Sequence, residues 1–75
     1  MSPLPVLSGR DVIRALERIG FETDRQKGNH VVLRNRNPPF RRITVPDHRE
    51  LAKGTLRAII RETGLTVDEF AALSK

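Results

Sequence analysis

The sequence predicts an α+β fold of order α-β-β-β-α with a short C-terminal helix, the helices lying on one face of a three-stranded antiparallel sheet. Three observations predict it. Val12, Leu16 and Ile19 recur at helical spacing near the start, the middle of the chain alternates with period two, and Leu56, Ile59 and Ile60 return to helical spacing. With 75 residues this is one small domain, and a chain of that size buries only roughly 60% of its unfolded surface on folding.

Residues 1–6 contain Pro3 and Pro5 and read as an extended, flexible leader to a single domain over 7–75. Ser8 opens the first helix, with Asp11 three residues on as in a capping box, and Leu7 and Val12 have the spacing of a hydrophobic staple. Arg10, Arg14, Glu17 and Arg18 fall outside the apolar stripe, and Gly20 closes the helix because it takes positive φ at low cost. Residues 21–26 form a polar first strand, and Lys27-Gly28-Asn29 is the turn. Over 30–34, Val31 and Leu33 face one side and His30, Val32 and Arg34 the other. Residues 35–39 are a loop by composition. Over 41–45, Ile43 and Val45 point inward and Arg42 and Thr44 outward, and Pro46 stops the strand. On this register His30, Arg34 and Arg42 share the open face of the sheet. A loop with His48 and Arg49 leads to a second helix from about Gly54 to Gly64, after which Leu65 packs back on Ile60. Thr66 and Glu69 frame a second capping box for a last helix carrying Val67, Phe70 and Leu73.

The composition narrows the chemistry. With no Cys, disulfides and thiolate metal sites are excluded. A basic-then-apolar leader and a long apolar run are both missing, so the expectation is a cytoplasmic protein with no membrane partner. Two histidines without a carboxylate cluster make a poor metal site, and Asp47-His48 beside Glu50 reads as an ordinary solvated loop, so neither metal nor cofactor is expected. The net charge of +5 points to a polyanionic partner, and its distribution sharpens the point. Arg25, Lys27, Arg34, Arg36, Arg41 and Arg42 all lie within residues 25–46, uninterrupted by any Asp or Glu. Phosphate binding by this segment follows.

His30 sits inside that segment at the first position of a strand, beside a glycine turn. A titratable imidazole in a positive field is what action on a phosphodiester requires. A lone histidine at a strand start is, equally, often a plain surface residue. From the residues alone both readings stay open.

The motifs Leu7-Ser8-Gly9-Arg10-Asp11-Val12, Gly20-Phe21, Arg25-Gln26-Lys27-Gly28-Asn29-His30, Thr44-Val45-Pro46-Asp47-His48 and Lys53-Gly54-Thr55-Leu56-Arg57 resemble, in order and spacing, the HicA toxins of bacterial toxin–antitoxin modules. The resemblance extends from Leu7 to Leu73. It implies a double-stranded-RNA-binding-like fold and a ribosome-independent mRNA interferase whose essential histidine, matched by His30, follows a Gly-Ser pair. Here Gly28 is kept and Asn29 stands in the serine position. The implied partners are mRNA and a HicB-type antitoxin. The implied chemistry is attack of an RNA 2′-OH on the adjacent phosphorus with His30 as general acid or base, without metal. Arg25, Lys27, Gly28, Asn29, Arg34 and Arg42 are then the RNA-binding candidates around it.

Two rivals come from another class. A non-catalytic RNA-binding module would use the same basic face with His30 as a mere contact, and a cleavage assay separates it from the enzyme. A helix-turn-helix DNA binder could be built from the last two helices, but its recognition helix carries Asp68 and Glu69, the wrong charge for phosphates.

Overall fold

The computed structural model describes residues 3–74 and has the order α1 (Gly9–Glu17), β1 (Phe21–Lys27), β2 (His30–Asn35), β3 (Arg42–Pro46), α2 (Lys53–Thr63), α3 (Val67–Leu73). The strands form one antiparallel sheet in the order β1-β2-β3. This is the α+β architecture that the alternating middle and flanking helical periods predict.

Both predicted capping boxes form. The Ser8 hydroxyl accepts from the Asp11 N–H and the Asp11 carboxylate accepts from the Ser8 N–H, each at 3.0 Å. Thr66 and Glu69 repeat the exchange at the start of α3. In each case two backbone donors that a helix N-terminus leaves unsatisfied gain partners. The α1 helix stops at Glu17, three residues short of Gly20, and a turn over 18–20 brings Gly20 to φ +99. Gly64 closes α2 at φ +77.

The core is a single cluster between the helices and one sheet face. Val31 and Leu33 are 2% and 0% exposed, and Ile43 and Val45 are buried beside them, so the predicted register holds. Val12, Leu16, Leu56, Ile59 and Ile60 cover that face, with Ile19 half-buried at its edge. Leu7, Ile13, Ala15, Phe21, Leu51 and Phe70 join the same core. Of the leader residues, Met1 and Ser2 lie outside the described residues, and Leu4 packs against the core.

One close approach locks α1 to the end of β3. The Gly9 N–H donates to the His48 carbonyl at 2.8 Å, and a Cβ on Gly9 would collide with the Pro46 carbonyl oxygen. Arg10 bonds Asp47 across the same junction at 3.0 Å. The Asp47 N–H in turn donates to the Asn29 carbonyl at 2.6 Å, so the β1–β2 turn is tied to the loop after β3.

Candidate nucleic-acid interface

The β1–β2 hairpin is closed by two residues, Gly28 and Asn29, with Lys27 and His30 as directly opposed strand residues. Gly28 has φ +58, whereas Phe40 is the sole non-glycine residue with positive φ among the described residues. Only the first turn position is therefore left-handed, as in a type II′ turn, which suits the twist of the strands. A Cβ on Gly28 would meet nothing within 4 Å, so glycine is required there by backbone conformation and not by crowding. The Gln26 amide donates to the Gly28 carbonyl at 3.3 Å and braces the turn.

Side chains opposed across antiparallel strands share a face. The register thus builds the open face from three rows: Lys27, His30 and Pro46; Arg25, Val32 and Thr44; Glu22, Arg34 and Arg42. His30, Arg34 and Arg42 are all exposed on it, as the alternation predicts. Lys27 and His30 lie roughly 4.5–5.5 Å apart at Cα, as opposed residues do. Among the described residues, Arg25 and Lys27 make no ion pair and no group hydrogen-bonds the His30 ring. The concavity lined by Arg14, Glu17, Arg18 and Leu73 lies by α1 and α3, a smaller one takes Glu22 and Arg34 from the far end of this face, and His30 lines neither.

The far end of the face differs from the sequence expectation. A register shift between Thr23 and Arg25 marks a bulge at Asp24, and the Asp24 carboxylate reaches Nε of Arg42 at 3.4 Å. Glu22 stands opposite Arg34. The cationic segment over 25–46 is therefore partly neutralised at this end by two acids that precede it in sequence, whereas no acid stands opposite Lys27 or Arg25 in the register. Beside Arg34, the loop between β2 and β3 brings the Phe40 ring to 4.6 Å from the guanidinium carbon, a cation–π contact. Neither the acids nor Phe40 was legible as part of this face, because a bulge and a loop conformation place them there. His48 is exposed in the loop after β3, two residues beyond Pro46, the register partner of His30, and its carbonyl serves the α1 junction.

The family model for "HicA toxin of bacterial toxin-antitoxin" matches residues 9–65, most of the chain. The chain belongs to the HicA toxin family. The matched span starts at Gly9, whose missing Cβ the α1 junction demands, and contains the whole sheet, the hairpin turn and His30. A HicA-family chain is the toxin of a bacterial toxin–antitoxin module. No curated protein matches the chain significantly. Among the described residues, no helix is long and apolar enough to cross a membrane.

Proposed function

We propose that this HicA-family toxin is an endoribonuclease that cleaves mRNA with His30 as its single catalytic histidine and no metal, and that a HicB-type antitoxin restrains it. The observation that carries the reading is the placement of His30: exposed at the head of β2, opposite Lys27 and in the row beside Arg25, on the uncovered face of the sheet. Such a face accepts a polymer, and its cations attract phosphates.

In the reaction an imidazole nitrogen of His30 accepts the proton of a 2′-OH as that oxygen bonds the adjacent phosphorus. The P–O5′ bond breaks, and the 5′ oxygen takes a proton from the imidazolium or from water. The nucleophile belongs to the substrate, so no activated side-chain hydroxyl is needed. Lys27 and Arg25 stabilise the negative charge that builds on the phosphorane oxygens, where a positive group contributes most. Arg34 and Arg42 hold flanking phosphates, while Gly28 and Asn29 set the turn that presents His30.

The test compares cleavage of one RNA by the unaltered chain, His30→Ala and His48→Ala, together with the same RNA carrying 2′-deoxyribose. Loss of roughly 10²–10⁴-fold is expected for His30→Ala. His48→Ala keeps most of the activity, and the deoxy analogue is not cut. Full activity in His30→Ala, or efficient cutting of the deoxy analogue, overturns the mechanism.

A further inference from the structure

We propose that Phe40, with Arg34 against its ring, is a stacking platform for an unpaired RNA base, so that the substrate is held as a single strand. The inference rests on the RNA reading above and names a substrate class and a residue that reading does not contain. The chain has three aromatic residues and no Tyr or Trp. Phe21 and Phe70 are in the core, 5% and 0% exposed, while Phe40 is 42% exposed.

Nothing in the core requires a phenyl ring at that position, and its backbone argues the same way. Phe40 holds φ +58, a conformation unfavourable for a bulky L-residue and one that glycine or asparagine would take more readily. The loop is nevertheless well anchored. The Asn35 N–H donates to the Arg41 carbonyl at 2.8 Å, the Arg36 N–H to Gly20 at 2.9 Å, and the Phe40 N–H to Asn37 at 2.8 Å. The ring is therefore held in place at the sheet edge, with exposed Arg36 and Arg41 close in sequence to meet phosphates.

Arg34 places this platform on the catalytic face. It lies four residues along β2 from His30 on the same side, a distance of roughly 13 Å at strand spacing. A strand whose phosphate sits at His30 thus reaches Phe40 within a few nucleotides. Bases splayed from a single strand stack on aromatic rings and guanidinium planes, whereas bases inside an A-form duplex have no free face to offer.

The test uses a 2′-O-methylated RNA oligonucleotide, which cannot undergo the proposed cleavage, as a single strand and as a blunt duplex. Binding is measured for the unaltered chain, Phe40→Ala and Phe40→Trp. Phe40→Ala should bind the single strand roughly 5- to 150-fold more weakly, the range of one aromatic–base stack, and bind the duplex unchanged. Phe40→Trp should bind the single strand at least as well as Phe40, and its tryptophan, the chain's sole one, should be quenched on saturation. Equal single-strand affinity in Phe40→Ala, or unmoved tryptophan emission at saturation, overturns the platform. If the unaltered chain binds and cleaves RNA while ignoring both substitutions, the platform alone falls. If it binds neither oligonucleotide, the RNA reading falls and takes the platform with it.

Discussion

The Asp24 carboxylate lies 3.4 Å from Nε of Arg42, joining the bulge of the first strand to the third strand across the open face of the sheet. The pair divides that face electrostatically. Among the described residues, Lys27 and Arg25 at the turn end have no acidic partner beside His30, and at the other end Arg42 and Arg34 face Asp24 and Glu22. Both members of the pair reach solvent, so it contributes little to stability, about 0–1 kcal/mol. On the proposed RNA reading its effect on binding should be larger. Asp24→Asn should leave the melting temperature nearly unchanged, tighten RNA binding and steepen its salt dependence by up to about 0.7 in log–log slope, one phosphate's worth on a single strand. Lys27→Gln should weaken binding more than Arg42→Gln does. Salt titrations of all three variants check this, and a larger loss in Arg42→Gln would contradict the division.

The glycines separate by what surrounds them. Gly9→Ala drives a Cβ into the Pro46 carbonyl, a backbone atom that cannot swing aside, so α1 must detach from the end of β3. A loss of about 3 kcal/mol, the upper range for overpacking, is expected in denaturant unfolding. Gly28→Ala meets no neighbour and suffers only from its φ of +58, a cost of about 1–2 kcal/mol, with lowered activity because the turn sets His30. Gly54→Ala, in the first turn of α2 with open space around it, should stabilise by about 0.4–1 kcal/mol. Any other order of the three stabilities counts against the packing described.

Much of the fold was legible because local and global signals agree in this chain. Val31, Leu33, Ile43 and Val45 could face only one way once alternation was recognised, and both capping boxes are written within four residues of sequence. What escaped reading was tertiary. Leu51 sits in a loop without periodicity, yet its N–H donates to the Leu7 carbonyl and its side chain enters the core. The α2 helix begins at Lys53, one residue before Gly54, with Ala52 as an N-cap that offers no side-chain bond. Such a start has no sequence signature. At the candidate site, Lys27, expected in the turn, instead ends β1 opposite His30, while the shared face of His30, Arg34 and Arg42 follows from the strand period. Asp24 and Phe40 do not, since one depends on a bulge and the other on a loop folding back over Arg34.

The α1 cap ties stability to pH. The Asp11 carboxyl is held below the usual carboxylate range, first by the Ser8 N–H, then by the Ser8 hydroxyl, with the Arg14 guanidinium 2.6 Å away adding to the effect. A carboxyl whose folded pKa is depressed contributes stability that is present above its unfolded pKa and is lost as pH falls through the folded value. Asp11→Asn should therefore be less stable than the unaltered chain at pH 7, and the gap should close as pH falls through and below the ordinary Asp range. Urea midpoints for the two proteins from pH 7 to pH 2 test the sign. A gap that persists unchanged at the acid end would mean that the ionised carboxylate is not the stabilising species.

Restraint by a HicB-type antitoxin makes a demand on the same face. A free toxin damages its host, and with a net charge of +5 this one invites an acidic partner. Among the described residues no acid pairs Lys27 or Arg25, so acidic antitoxin side chains laid over them would bring the partner's bulk onto His30. Electrostatic steering of this kind accelerates association and is screened by salt. The association rate should fall roughly 10-fold or more from low to high ionic strength, and Lys27→Glu should slow it further. His30 offers a direct footprint. Its exposed imidazole should react with diethylpyrocarbonate in the free toxin and be protected in the complex, while His48, off the cationic rows, serves as the internal comparison. A complex that forms at the same rate in high salt and leaves His30 as reactive as before would place the antitoxin on another surface, and inhibition would then have to act at a distance.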